Sequence, residues 1–233
     1  MKNKIIIPLD VDSEEKAISL VKELKDHVGA FKVGLELINN VGFTIFEKIK
    51  EAGAEKIFYD CKFCDIPNTV KGASVGATKN NVWMFNVHAL GGFDMMKAAK
   101  EGALQTAEKL GIETPLVIAV TILTSINGET LKSIGVERDV KTEVASLAKL
   151  AKEAGLDGVV SSPQEISVIR EACGKDFVIV TPGVRPKGSD IGDQKRIMTP
   201  LKAVREGSDY IVVGRPITKA ENPALAADNL FNE

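Results

Sequence analysis

Asp60, Lys62 and Asp65 stand close together in the run Tyr59-Asp60-Cys61-Lys62-Phe63-Cys64-Asp65-Ile66-Pro67-Asn68-Thr69. An apolar stretch leads into this run and a Pro-Asn turn ends it, so the charges lie where a strand runs out. On an extended strand, side chains two residues apart point to the same side, which puts the Lys62 amine beside the Asp60 carboxylate. Asp65 falls beyond the strand and is free to reach elsewhere. Charges on a buried strand are costly unless paired. Alternating fixed charges of this kind suit chemistry that shifts charge without a metal. Surface decoration would use the same residue types but would not set them on a buried strand.

The elements that must hold these residues alternate along the chain. Apolar, β-branched runs predict strands at Lys4–Val11, Ala30–Leu37, Lys56–Phe63, Trp83–Ala89, Leu116–Leu123, Gly158–Ser162, Phe177–Pro182 and Tyr210–Arg215. Helical periodicity falls between them, near Ser13–His27, Phe43–Ala52, Asn68–Asn80, Phe93–Leu110, Val140–Ala154, Gln164–Ala172 and Pro200–Glu206, with a last helix from Pro223. Ser13 offers a cap for the first helix, and Gly53, Gly111, Gly155 and Gly207 stand where helices should stop. Short, largely apolar strands imply a parallel sheet buried on both faces. Eight βα units in 233 residues predict an α/β fold, a (β/α)8 TIM barrel forming one domain over residues 1–233. An open doubly wound sheet fits less well, because no G-x-G-x-x-G follows the first strand.

In such a barrel the chemistry gathers at the C-terminal ends of the strands. Those ends carry Asp10, Lys32, Asp60 with Lys62, His88, Thr124 with Ser125, Thr181-Pro182-Gly183-Val184-Arg185 and Val213-Gly214-Arg215. Polar turn residues are common there, but a lysine inside Phe31-Lys32-Val33-Gly34 is not explained that way. Gly214-Arg215 follows an apolar strand and precedes a short helix, a place where backbone N–H groups and a guanidinium can hold a phosphate. The polar segment Arg185–Arg196, with Gly188, Gly192 and Gln194, reads as a lid. His88 reads as a hydrogen-bonded structural residue, Trp83 and Met84 as core, and Met95-Met96 as packing against the barrel.

Composition narrows the classes further. The chain is 44% hydrophobic and 27% charged with a net charge of −2, which gives no electrostatic case for nucleic acid or an anionic membrane. No apolar run approaches the roughly 20 residues that span a bilayer, and the amino-terminal run is too short for a signal peptide. Three cysteines make no disulfide framework, and a reducing cytoplasm is the expected location. The Cys61-x-x-Cys64 pair lies along a strand, where a redox pair would open a helix, and it lacks the further ligands of a zinc site.

Asp60-x-Lys62-x-x-Asp65-Ile66-Pro67-Asn68-Thr69 resembles the defining motif of the orotidine 5′-monophosphate decarboxylase family. The likeness continues through Pro8-Leu9-Asp10, Lys32-Val33-Gly34, Val87-His88-Ala89-x-Gly91-Gly92, Leu123-Thr124-Ser125, Thr181-Pro182-Gly183-Val184-Arg185 and Val213-Gly214-Arg215, in the family's order. Cys61 and Cys64 depart from the commonest bacterial form, which has leucine and histidine there. The resemblance implies a homodimeric barrel that releases CO2 from orotidine 5′-monophosphate to give uridine 5′-monophosphate in pyrimidine synthesis, with neither metal nor organic cofactor. It implies Lys62 as proton donor to C6, Asp60 near the departing carboxylate, and Asp65 entering the site from the partner subunit. Asp10 and Lys32 would hold ribose hydroxyls with help from Thr69 of the partner subunit, and Thr124 would meet the pyrimidine. Gln194, Gly214 and Arg215 would hold the phosphate, with Arg185 at the same end and Ile66 and Pro182 among the substrate-binding positions.

Two other readings share some of these features. A magnesium-dependent sugar-phosphate decarboxylase or aldolase on a related barrel also carries Asp-x-Lys-x-x-Asp, with carboxylates that hold the metal. A barrel that binds a nucleotide without turning it over would have no need of a buried Lys62.

Overall fold

Short strands that are apolar on both faces leave few arrangements besides a closed sheet wrapped in helices. The computed structural model describes residues 1–186 and 198–232. Among these, eight parallel strands pair in sequence order and β8 returns to β1, closing a barrel. They are β1 (Ile5–Pro8), β2 (Ala30–Val33), β3 (Ile57–Phe63), β4 (Met84–His88), β5 (Leu116–Val120), β6 (Gly158–Val160), β7 (Val178–Thr181) and β8 (Tyr210–Val212). The connections carry α1 (Glu14–Leu24), α2 (Leu35–Val41), α3 (Ile45–Glu51), α4 (Pro67–Lys79), α5 (Gly92–Leu110), α6 (Gly128–Ser133), α7 (Val140–Glu153), α8 (Ile166–Cys173), α9 (Pro200–Arg205), α10 (Arg215–Thr218) and α11 (Pro223–Asp228).

Local chemistry sets the helix ends. The Ser13 hydroxyl accepts from the Lys16 N–H and the Asp139 carboxylate from the Thr142 N–H, while Pro67 opens α4 where its missing donor costs nothing. Gly53, Gly111, Gly155 and Gly207 all have positive φ just past a helix, as expected of stop residues. Two expectations need correction. The strand expected to run through Leu37 ends at Val33, because the chain turns at Gly34 and Leu35-Glu36-Leu37 begin α2. The short helix α6 was not anticipated: it is too brief to show a period, and the Asn127 side chain, accepting from the Thr130 N–H, starts it.

Alternation along the strands creates two cores. Outward residues such as Val33, Tyr59, Phe85 and Val87 pack under the helices, where Met95 and Met96 are also buried. Inward residues Ile6, Ala30, Phe58, Met84, Ile118, Val180 and Val212 form a separate apolar layer inside the barrel. Trp83 is only half-buried; it stacks edge-on against Tyr210 at 4.9 Å, beneath the Lys56 amine. Two residues further along the inner face, the apolar layer gives way to Lys32, Asp60 and Asn86, all buried. The layer is therefore a dry floor under the polar groups. No helix among the described residues is long and apolar enough to cross a membrane.

At Gly158 two strands of the barrel wall approach too closely for a side chain. A Cβ there would lie 2.2 Å from the Val178 carbonyl oxygen, a backbone atom that cannot yield without moving β7. Gly158→Ala is expected to destabilise the fold by about 1–3 kcal/mol, the usual range for forced overpacking. A lower urea midpoint at unchanged slope would show it; an unshifted midpoint would refute it.

Candidate active site

Asp60 stands on the inner face of β3, directly above the apolar layer, and three groups converge on its carboxylate. The Lys62 amine lies 2.6 Å from Oδ1, the Lys32 amine 3.2 Å from Oδ2, and the Asn86 amide donates to Oδ1 at 2.7 Å. Lys32 also reaches the exposed Asp10 at 3.1 Å, so Asp10, Lys32, Asp60 and Lys62 form one chain of alternating charge. Burial disfavours the Asp60 anion, but Lys32 and then Lys62 outweigh it and hold its pKa down to about 2. Burial likewise works against the Lys32 cation, yet Asp60 and Asp10 raise its pKa above the ordinary lysine value. Each charge is tolerated in the interior because its neighbours compensate it.

The route by which Lys62 reaches Asp60 differs from the regular strand expected. Between Tyr59 and Phe63 the pairing with β4 shifts: Tyr59 faces Phe85 and Phe63 faces Val87, so four steps on β3 match two on β4. Lys62 sits in this bulge with φ +50°, a left-handed conformation that costs a non-glycine residue about 1–3 kcal/mol. Asn86 secures the bulge. Its Oδ1 accepts the Lys62 backbone N–H at 2.7 Å, and its own carbonyl accepts from the Cys61 thiol at 3.0 Å. Burial pushes the Cys61 thiol up to about 12, so it remains a donor. Cys64, by contrast, is exposed. Sequence reasoning passed over Asn86; the signal was a lone amide within Met84-Phe85-Asn86-Val87.

Two adjoining cavities open above Asp60. The first, of about 180 Å3, is lined by Phe58, Val120, Ile122, Val160, Pro182 and Thr124, with Lys32, Asp60 and Lys62 at one end. It suits a flat ring with one charged edge. The second, of about 490 Å3, is lined by Asp10, Lys32, Arg185, Gly214, Arg215 and Lys219 and is strongly basic. Lys32 and Pro182 border both. Lys219, which no sequence signal indicated, joins this cleft because α10 turns it back toward Arg215.

Asp10, Lys32, Asp60, Lys62, Thr124, Pro182, Arg185, Gly214 and Arg215 thus gather around one continuous space. Asp65, Ile66 and Thr69 do not line it: all three are exposed, and Asp65 Oδ1 accepts the neighbouring Ile66 N–H at 2.6 Å. Gln194 and most of the expected lid lie outside the described residues. His88 follows Asn86 on the same face, but its Nδ1 is buried with no hydrogen-bond partner among the described residues, unlike the bonded structural histidine expected. Burial and then Lys62 lower its pKa, keeping the ring neutral at pH 7.

With this geometry in view, the chain can be set beside known proteins. Residues 3–230 match the family described as Orotidine 5′-phosphate decarboxylase / HUMPS family. The chain belongs to this family. A relative from Moorella thermoacetica named orotidine 5′-phosphate decarboxylase is 52% identical, over 97% of this chain and 90% of its own length. One of the same name from Syntrophomonas wolfei is 51% identical over 100% of this chain and 98% of its own length. The crystal structure of orotidine 5′-phosphate decarboxylase from Lactobacillus acidophilus superposes with a TM-score of 0.86 at 39% identity, covering 98% of this chain and 99% of that one. Orotidine 5′-phosphate decarboxylases such as these relatives are carboxy-lyases, and the barrel found here is theirs.

The paired Asp60 gives a pH signature. Its pKa is depressed from 3.8 to about 2, so the stability it contributes is complete above about pH 4 and lost as pH falls through about 2. The unfolding free energy of the wild type minus that of Asp60→Asn should therefore be flat near neutrality and decrease as pH falls from about 4 toward 2. A difference that stays constant down to pH 2 would contradict the pairing.

Proposed function

We propose that this chain converts orotidine 5′-monophosphate to uridine 5′-monophosphate and CO2 without a metal, with Lys62 as the proton donor. The observation that carries this reading is Lys62 held at 2.6 Å from Asp60 beside a ring-sized apolar cavity that runs into a basic cleft. The pyrimidine fits the cavity, with Thr124 at its wall, and the phosphate fits the cleft between Gly214, Arg215 and Arg185. Asp10 and Lys32 lie between the two, where a ribose would be. Gln194 belongs to the same phosphate end by resemblance.

Loss of CO2 breaks the bond from C6 to the carboxyl carbon and leaves the electron pair in the plane of the ring, where the π system cannot take it up. A cation already in place stabilises that charge without reorganisation. The Lys62 amine then gives C6 a proton. Asp60 orients the amine and lies toward the departing carboxylate. Two features argue against a metal at the carboxylates: Lys32 and Lys62 already occupy the oxygens of Asp60, and Lys32 occupies Asp10. Phosphate held far from C6 supplies binding energy for the chemical step.

A homodimer completes this reading. Asp65, Ile66 and Thr69 are exposed and line neither cavity, and exposed apolar side chains follow the ends of three adjacent strands: Leu35 and Phe43 after β2, Ile66 after β3, Leu90 and Phe93 after β4. Exposed apolar side chains gathered after neighbouring strands suit a second copy. Asp65 and Thr69 then serve the opposite site, and Asp65 meets Lys62 across the interface. A cytoplasmic location fits the three free cysteines.

The purified protein should consume orotidine 5′-monophosphate in excess EDTA, followed as loss of its ultraviolet band, and Lys62→Ala should lower that rate by many orders of magnitude. No turnover by the wild type would end the assignment, and EDTA-sensitive turnover would favour the metal-dependent alternative. Mixing the inactive Lys62→Ala and Asp65→Ala proteins should restore part of the activity through hybrid dimers with one intact site. Mixtures that remain inactive after subunit exchange would argue that each chain uses its own Asp65.

A further inference from the structure

Asn86 touches neither cavity, yet it makes the two hydrogen bonds on which the charged cluster is hung. The chemistry fixes which way its amide faces: a backbone N–H can only donate, so Lys62 meets Oδ1, and an ionised carboxylate can only accept, so Asp60 meets the NH2 group. We propose that Asn86 is a positioning residue for the decarboxylation, a single amide that anchors the left-handed Lys62 backbone and orients Asp60 Oδ1 toward the Lys62 amine before substrate arrives.

Three observations carry this beyond ordinary core packing. Asn86 is fully buried, so neither hydrogen bond can be replaced by solvent. Both bonds go to the two residues whose relative placement matters for the reaction, and both are 2.7 Å long. Lys62 occupies a backbone conformation that a lysine does not choose, within a register shift opposite Asn86's own strand. Without the anchor the segment relaxes toward extended strand, and the amine turns away from Asp60. The Cys61 thiol, bonded to the Asn86 carbonyl, ties the two main chains together at the same point. A leucine at position 61 has no donor to offer, so in this chain the clamp has an extra tie.

The inference rests on the proposed roles of Lys62 and Asp60, and its test is arranged to fail separately from them. Asn86→Leu keeps the branching at Cγ and removes both bonds, at the cost of two methyl groups bulkier than the amide's oxygen and NH2. It is expected to lower kcat about ten- to a hundredfold, the loss typical of a buried hydrogen bond to a charged group, with a much smaller change in KM. Asn86→Asp is isosteric, but its new carboxyl makes both bonds only while protonated. The groups around it are Asp60 and Lys62 on β3, Lys32 beyond them on β2 and His88 on its own strand, while β5 offers the apolar Ile118 and Val120. Burial and the Asp60 anion favour the protonated form, against Lys62 and Lys32 whose charge Asp60 already offsets, so the ratio of variant to wild-type kcat should be highest at low pH and fall as the group ionises. Because a new carboxylate also acts on His88, the ratio is taken again in a His88→Asn background, where that titration is absent from both proteins. In ligand-free protein, a 13C titration of the Asp60 carboxyl should move upward in Asn86→Leu.

Wild-type kcat in Asn86→Leu, or a ratio for Asn86→Asp that does not change with pH, would overturn the proposal. Should Asn86→Leu not fold, Asn86→Asp decides alone. If the wild type does not decarboxylate orotidine 5′-monophosphate, the functional reading fails, and an unshifted Asp60 titration would then still refute the clamp independently.

Discussion

One carboxylate shared by two ammonium groups organises this structure. Asp60 lies in the barrel interior, where an isolated charge would be neutralised, and it stays ionised because Lys32 and Lys62 flank it and Asn86 donates to it. The dependence is mutual. Lys32 is equally buried and keeps its proton because Asp60 and Asp10 are present. Removing any one charge strands another, so the cluster behaves as a unit. The apolar layer of Ile6, Ala30, Phe58, Met84, Ile118, Val180 and Val212 lies immediately below and keeps water from screening these interactions from beneath.

The bulge in β3 shows what this arrangement costs. A regular strand would put Lys62 in register with β4 and leave its backbone unstrained. The chain instead accepts a left-handed lysine, held by an amide from the neighbouring strand. Strain stored at a reacting group is common where position matters more than local comfort. Beyond Phe63 the strand ends, and Asp65, Ile66 and Thr69 are exposed and line neither cavity.

Much of the fold was readable from pattern. The eight strands, the principal helices and the glycine stops follow from the alternation of apolar β-branched runs with helical periods, because parallel strands buried on both faces have few other ways to be satisfied. The strand ends were less legible: Leu35-Glu36-Leu37 is as apolar as a strand, and only the turn at Gly34 makes it a helix. In the site, Asp10, Lys32, Asp60 and Lys62 stood out as charges at the ends of apolar runs. Asn86 and Lys219 did not, since the one owes its meaning to β3 and the other to a cleft shared with Asp10 and Lys32, far away in sequence.

The linear order of residues by itself determined the barrel, the family and the set of charges at the rim, because hydrophobic period and residue type act locally and survive in one dimension. Which oxygen meets which amine was decided only by the closed sheet. Barrel closure brings β2, β3 and β4 side by side, and the register shift between β3 and β4 sets the amide of Asn86 against both the backbone of Lys62 and the carboxylate of Asp60. Hydrogen bonds reach about 3 Å, so their pairing is a property of strands packed together rather than of the chain that forms them.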